Sequence, residues 1–172
     1  MTRSQVLFIG GRSGVGKSSL ASELHALLTT ADIKHCVVEG DALDLAHPPP
    51  WEFGLAERNL AAIWQNYRAL GYRRLIYTNT VSVLETAALT SAMGDDPVVI
   101  AVLLTASDET ASQRLRQREQ GSALHQHLER SSQRAIELDH SAPAWVHRLN
   151  TDGRKVETLA RQTLLWTGWT PD

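Results

Sequence analysis

One short segment constrains the fold of this 172-residue chain more than any other. The apolar run VLFI (6–9) is followed by GGRSGVGKSS (10–19), and then by a helical pattern with leucines recurring on one face. Glycines at this spacing let successive backbone N–H groups point into one concavity, and the helix that follows adds the partial positive charge of its N-terminus. The segment therefore predicts a strand–loop–helix unit that binds a phosphate group.

The loop matches the pattern G-x-x-x-x-G-K-[ST] at every defined position. Lys17 is placed to reach the terminal phosphates of a nucleoside triphosphate, and the Ser18 hydroxyl is placed to ligate Mg²⁺. ATP and Mg²⁺ are therefore the expected cofactors, although the loop alone does not distinguish a motor, a switch, a transporter ATPase and a small-molecule kinase. The residues expected to contact the nucleotide are Gly11, Ser13, Gly14, Val15, Gly16, Lys17, Ser18 and Ser19.

Apolar runs with strand composition alternate with helical patterns along the chain. This alternation predicts an α/β fold, a three-layer sandwich around a five-stranded parallel sheet, as one domain over residues 1–172. The run at 97–105 is the most apolar and is expected to be a central strand buried on both faces. The predicted strands are 6–9, 36–38, 74–78, 97–105 and 145–149. The predicted helices are 17–30, 54–70, 81–92, 108–119, 123–138 and 154–166.

Composition narrows the classes of function. The formal net charge of −2 provides no basic field for nucleic acid or an anionic membrane. The single cysteine, Cys36, lies in an apolar stretch and is interpreted as a buried, inert thiol. The apolar run at 6–9 is too short for a signal-peptide core or a membrane span. We therefore expect a cytoplasmic monomer or homodimer whose partner is a small-molecule acceptor, with no nucleic acid and no membrane.

The strand after which acidic residues occur helps to distinguish ATPases and GTPases from other proteins with a phosphate-binding loop. ATPases and GTPases normally carry an acid at the end of a nearby apolar strand, yet residues 78–80, which end the third predicted strand, include none. The second strand instead runs into Glu39, Asp41 and Asp44. Asp41 would lie near the metal-bound phosphate, where a carboxylate can act as a general base. The alternative is that Asp41 only caps a helical turn.

Arginines recur at helical spacing late in the chain. Arg114 and Arg118 are four residues apart, as are Arg130 and Arg134, so each pair shares a helix face. We expect a helical lid over residues 114–134 that folds over a triphosphate and neutralises charge during phosphoryl transfer. The alternative is an exposed helix pair stabilised by contacts between arginine and glutamate.

These segments resemble the small P-loop kinases of metabolites and antibiotics, which include shikimate kinase, gluconate kinase, adenylylsulfate kinase and chloramphenicol phosphotransferase. The resemblance rests on GGRSGVGKSS, VVEGDALD, SDETASQRLRQRE and NTDGRKVETLA, in that order. It implies the P-loop NTPase fold of the nucleoside and nucleotide kinases, and transfer of the γ-phosphoryl group of ATP to a hydroxyl of a metabolite, sugar acid or antibiotic. An ATP-binding protein with slow ATPase activity and a regulatory role remains an alternative, as does a nucleoside or nucleotide kinase.

The resemblance assigns roles on the donor side by position. Lys17, Asp41 and Arg118 would be catalytic, with Asp41 acting on the acceptor hydroxyl or organising Mg²⁺. Arg114 is similar to the lid-entry arginine that packs on adenine, and Arg154 would flank the base.

On the acceptor side, the resemblance implies contacts from Asp41, Asp44, Arg58 and Asn79. Arg58 suits an anionic acceptor, although a solvated surface arginine is an equally good interpretation. Asn79 stands in a turn that departs from the family's glycine-rich or acidic pattern, and it favours a neutral polar group on the acceptor.

Overall fold

Five parallel strands form one sheet, as predicted. They are β1 (Gln5–Gly10), β2 (Cys36–Glu39), β3 (Arg74–Thr78), β4 (Val98–Thr105) and β5 (His147–Asn150). Their spatial order is β2-β3-β1-β4-β5. This computed structural model describes residues 3–118 and 123–169; the side chains of residues 118, 123, 125 and 126 also lie outside the description.

Within the described residues, five helices connect the strands and a sixth follows β5. They are α1 (Lys17–Thr30), α2 (Leu55–Ala69), α3 (Thr86–Met93), α4 (Asp108–Arg118), α5 (Ala123–Ser141) and α6 (Val156–Thr167). Two short 3₁₀ turns, Gly40–Ala42 and Trp51–Phe53, lie between β2 and α2. None of the helices in the described ranges has the length and apolar character needed to cross a membrane.

The alternation of side chains along β1 builds a core on each face of the sheet. Val6 and Phe8 pack into one cluster with residues of α2, α3 and α5, such as Trp64. Leu7 and Ile9 pack into the other cluster with residues of α1 and α6. All four β1 side chains are fully buried. The result is the predicted three-layer α/β sandwich, with β1 as the middle strand.

β4 is buried on both faces only in its second half. Residues 101–104 are buried, whereas Val98 is 40% exposed. The reason is that β5 pairs only with Val102–Thr105, so the first half of β4 has a neighbouring strand only on the β1 side. The expectation that the whole run would be buried on both faces was therefore wrong for its first half. Apolar content predicts a strand but not the length of the strand beside it.

The helix predicted over 81–92 begins later, at Thr86. The Asn79 side chain accepts a hydrogen bond from the Val81 backbone N–H at 2.8 Å, and two successive turns follow, closed by bonds from Leu84 to Val81 and from Glu85 to Ser82. The asparagine thus offers the backbone a local partner that competes with helix formation. This turn keeps residues 79–85 at the carboxyl edge of the sheet, where ligands bind in open α/β folds.

Candidate active site

The glycine-rich loop lies between β1 and α1 in the conformation that the motif requires. Gly16 has a φ of 99° and immediately precedes α1, which begins at Lys17. Gly14 has a φ of 85°, and a Cβ there would stand 2.6 Å from the carbonyl oxygen of Ala111 in α4. The loop backbone is therefore packed directly under α4, at a position open only to glycine.

Lys17 and Ser18 lie where the first turn of α1 meets the end of β2. The Lys17 ammonium donates to the carbonyl oxygen of Gly11 at 2.7 Å. The Ser18 hydroxyl lies 3.5 Å from a carboxylate oxygen of Glu39, and the same oxygen accepts a bond from the Thr78 hydroxyl at 2.6 Å. One carboxylate and one hydroxyl suit Mg²⁺, which usually binds one or two carboxylates together with phosphate oxygens and water. Ser18 and Glu39 thus fit the expected metal.

Asp41 faces the loop from the turn that follows β2. It lies inside the 3₁₀ turn Gly40–Ala42, and its carboxylate accepts from the backbone N–H of Thr80 at 3.4 Å. A cavity of about 130 Å³ over the loop is lined in part by Lys17, Ser18 and Asp41. Asp41 therefore lines the same cavity as Lys17 and Ser18. This position is compatible with a role toward a bound phosphate, in addition to capping a local turn.

The helices α4 and α5, which we call the lid helices, cover the loop. Leu115 of α4 and His127 of α5 also line the cavity over the loop. The imidazole of His127 lies 3.1 Å from the Ser13 hydroxyl, and the Ser131 hydroxyl donates to the Ser13 carbonyl at 3.1 Å. A second cavity of about 290 Å³ lies between Ser13, Thr80 and the α5 surface. The lid helices thus contact the loop through Ser13, with space on both sides of His127.

Arg114 lies against the backbone of the loop. Its guanidinium donates to the carbonyls of Gly14 and Val15 at 3.4 and 3.3 Å, and to the hydroxyl and carbonyl of Thr151 at 3.0 and 3.3 Å. These bonds join the loop, α4 and the segment that follows β5. The adenine contact implied for Arg114 stays a prediction, and the geometry adds a role in holding the loop.

Arg12, a variable position of the motif, is buried with an exposed fraction of 4%. It forms an ion pair with Asp108 and donates to the Ser107 carbonyl at 3.0 Å. Asp108 also accepts from Ser132 of α5 at 3.3 Å. The hydrogen bond from Arg12 is the main reason that the pKa of Asp108 lies below its ordinary value. This cluster joins the loop to both lid helices.

Four other residues predicted for the site are described by the structure, and none of them is among the residues that line the cavity over the loop. Asn79 follows β3 directly, and its amide oxygen is engaged with the Val81 N–H. Arg154 donates to the Gln162 side chain at 2.7 Å and to the Asn150 carbonyl at 3.4 Å, on the exposed side of α6. Asp44 is half-buried in the loop before α2, and Arg58 is exposed on α2. Their roles stay predictions.

The predicted catalytic Arg118 ends α4, and its side chain lies outside the described residues. The catalytic role that the resemblance implies for it therefore stays a prediction.

Sequence reasoning gave no role to three residues that the fold brings to the loop. Glu39 could have been assigned from sequence, because it is an acidic residue at the end of β2, directly before the turn that carries Asp41. Arg12 and His127 carried no such signal, because the motif leaves its second position undefined and a histidine in a polar helix is ordinarily solvated. Their contacts depend on how the lid helices pack over the loop.

No family model matches the chain, and no curated protein matches it by sequence. Solved structures match it over nearly its whole length. A tunicamycin resistance protein from Deinococcus radiodurans is 22% identical with a TM-score of 0.67, covering 99% of this chain and 100% of that one. The APS kinase CysC from Mycobacterium tuberculosis, solved with AMPPNP and APS, is 20% identical with a TM-score of 0.62, covering 98% and 99%.

A gluconokinase from Sinorhizobium meliloti 1021 is 18% identical with a TM-score of 0.58, covering 98% of this chain and 93% of that one. At these identities the likeness is one of fold. The suspected resemblance is confirmed at that level: this chain has the five-stranded α/β fold of the small P-loop kinases.

Proposed function

We propose that this protein is a kinase that transfers the γ-phosphoryl group of ATP to a hydroxyl of a small molecule. The observation that carries the proposal is the shared cavity over the loop. Lys17 and Ser18 from α1, Asp41 from the turn after β2 and His127 from the lid helices all line it. A cavity built by donor, acid and lid residues suits a transfer reaction in which both reactants must be held away from water.

The donor half would hold the triphosphate. The loop N–H groups and Lys17 would bind phosphate oxygens, and Ser18 and Glu39 would hold Mg²⁺, which would supply positive charge beside the transferring group. Arg118, at the end of α4, is proposed to contact the phosphates, and the AMPPNP bound in the similar APS kinase supports ATP as the donor. Arg114 would hold the loop backbone in this shape through its bonds to Gly14 and Val15.

The acceptor half would be built around Asp41. The acceptor hydroxyl oxygen attacks the γ-phosphorus, the bond from that phosphorus to the β,γ-bridging oxygen breaks, and ADP leaves. The hydroxyl proton passes to the Asp41 carboxylate, which acts as the general base. Asp44, Arg58 and Asn79 are proposed to contact the remainder of the acceptor. Because this chemistry uses cellular ATP, the proposal includes a cytoplasmic location.

The test is transfer of label from γ-labelled ATP to a panel of sugars, sugar acids, nucleosides and antibiotics. We expect at least one phosphorylated product, whose formation falls at least a hundredfold in Lys17→Ala and Asp41→Asn. Lys155→Ala, an exposed lysine before α6, is the matched control and should retain full activity.

ATP hydrolysis that no acceptor accelerates would contradict the proposal and favour the slow ATPase. Full transfer by Asp41→Asn would show that the base is assigned to the wrong residue, while leaving the kinase activity in place.

A further inference from the structure

The cavity between the loop and α5 adjoins the place where the phosphoryl group would be transferred. This cavity of about 290 Å³, which we call the α5 cavity, is lined in part by Ser13, Thr80, His127, Arg130, Arg134 and Glu137. Among the described residues, Ser13 and His127 also line the cavity over the loop, where Lys17 and Ser18 lie. The two cavities therefore meet beside the residues that are proposed to bind the triphosphate and its metal.

The proposed base lies next to the α5 cavity. The Thr80 backbone N–H donates to the Asp41 carboxylate at 3.4 Å, and the Thr80 carbonyl accepts from the Gly11 N–H at 3.1 Å. Thr80 therefore joins the wall of the α5 cavity to both Asp41 and the loop. A hydroxyl compound held in this cavity would have the base and the phosphates at the same end, which is the arrangement that transfer requires.

The residues that the sequence predicts for the acceptor do not form this cavity. Asp44, Arg58 and Asn79 line neither of the two cavities in the part of the chain that the structure describes. Arg130 and Arg134 do line the α5 cavity, and their spacing of four residues places them on one face of the helix. Neither arginine lines the cavity over the loop. This placement favours contact with the acceptor over contact with the nucleotide.

The charges of the α5 cavity suit an anion. Its described lining contains the two guanidiniums of Arg130 and Arg134 and one carboxylate, that of Glu137. Arg134 donates to Glu137 at 2.6 Å, and both side chains of this ion pair are about half exposed. The pKa of Glu85 is raised, mainly by burial, and Arg134 opposes that rise, but Glu85 does not line the cavity. Since an exposed ion pair contributes little free energy, a ligand carboxylate can replace Glu137 at small cost.

We propose that the α5 cavity is the acceptor site and that the acceptor is a small hydroxy acid whose carboxylate binds Arg130 and Arg134. Planar guanidiniums bind carboxylates through charge-assisted, often paired hydrogen bonds. The volume lies near the lower end of the range of about 300 to 1,000 Å³ for ligand pockets, so the compound is small. The reacting hydroxyl lies toward Asp41. This inference rests on the proposed function, since it places the acceptor of the same reaction.

The experiment compares binding within matched triplets of compounds, measured calorimetrically with Mg²⁺ and AMPPNP present. One triplet is D-gluconate, D-glucose and D-glucosamine, and the other is glycerate, glycerol and serinol. We expect the acid of at least one triplet to bind about tenfold tighter than the neutral compound, and the amine to bind weakest, because a hydrogen bond to a charged group contributes about this factor. If neither acid binds tighter than its neutral and amine counterparts, the proposal is wrong.

Variants locate the carboxylate within the molecule. Arg130→Gln and Arg134→Gln should each remove most of the preference for the acid, while the affinities for the neutral compound and for AMPPNP stay within twofold. Arg161→Gln alters an exposed arginine of α6 and should change none of these affinities. An acid preference that survives in both α5 variants would overturn the assignment, and weaker AMPPNP binding would place these arginines at the triphosphate instead.

Glu137→Gln separates ligand binding from a structural role. This change removes the carboxylate that competes for Arg134, so the affinity for the acid should rise at least twofold while the affinity for the neutral compound is unchanged. If the pair serves stability alone, the variant instead unfolds at a lower temperature and gains no affinity, which would contradict the proposal.

Transfer of label to the same compounds separates the inference from the proposed function. Phosphorylation of a neutral or amine member in preference to the acid would overturn the inference and leave the kinase in place. Binding of the acid that depends on both arginines, with ATP hydrolysis but no transfer, would support the anion site and contradict the kinase.

Discussion

The guanidinium of Arg12 is buried against the carboxylate of Asp108, and this pair joins the phosphate loop to the first turn of α4. Ser132 of α5 bonds to the same carboxylate, so this side chain of α4 contacts both the loop and α5. We therefore expect this cluster to contribute to the stability of the fold and, if the proposed transfer reaction takes place here, to its activity.

Asp108→Asn should destabilise the protein at neutral pH by about 1–2 kcal/mol, less than a fully buried pair because Asp108 is exposed. Since the folded-state pKa of Asp108 is lowered, its contribution is present above its ordinary pKa and is lost as the pH falls through the lowered value. Urea unfolding at pH 7 and pH 3 measures this. The difference from wild type should shrink at pH 3, while the exposed neighbour variant Glu109→Gln should match wild type at pH 7. An unchanged difference at both pH values would contradict the pairing.

Gly14→Ala should destabilise the fold or abolish nucleotide binding. The added Cβ meets the Ala111 carbonyl, and the φ of 85° is strained for any L-residue, so the cost should exceed about 2 kcal/mol. Gly153→Ala is the control, because Gly153 also has a positive φ but has open space around it. Thermal unfolding compares the two variants, and equal losses would show that the contact with α4 contributes nothing.

Glu39→Gln should weaken Mg²⁺-dependent nucleotide binding about tenfold while leaving metal-free binding unchanged. The carboxylate accepts from Thr78 and lies beside Ser18, so removing its charge removes the only acid next to the Ser18 hydroxyl among the described contacts. Titration of Mg²⁺ at fixed AMPPNP measures the effect. The same Mg²⁺ dependence in variant and wild type would exclude Glu39 from the metal site.

Arg114→Ala should lower both nucleotide affinity and stability, the latter by about 1–3 kcal/mol, since two carbonyls of the loop and one of Thr151 lose a charged donor. Arg116→Ala alters an exposed arginine of the same helix and should change neither. If Arg114→Ala weakens nucleotide binding with no loss of stability, the residue contacts only the nucleotide.

Cys36 should be unreactive in the folded protein. Burial raises the pKa of its thiol to about 12, so almost no thiolate exists at pH 8. Modification by iodoacetamide, followed by mass spectrometry, should be slow in buffer and rapid in denaturant. Equal rates in the two conditions would contradict the burial of this strand.

The sequence determined the elements and their order because their signals are local. A glycine loop between an apolar run and a helical pattern, and a glycine at the end of α2, act through backbone conformation over a few residues. The position of Asp41 beside the loop also followed from sequence, since parallel strands end at one edge of the sheet.

Only the tertiary structure decided which distant residues meet. Arg12 reaches Asp108 across 96 residues, and His127 reaches Ser13 across 114. The Thr78 hydroxyl of β3 and the Ser18 hydroxyl of α1 lie 2.6 and 3.5 Å from one carboxylate oxygen of Glu39, at the end of β2. Electrostatic fields and packing sum over neighbours in space, whereas sequence patterns report only neighbours along the chain. For that reason the meeting of Lys17, Ser18 and Asp41 beside the loop could be predicted from sequence, and the contacts of Glu39, Arg12 and His127 could not.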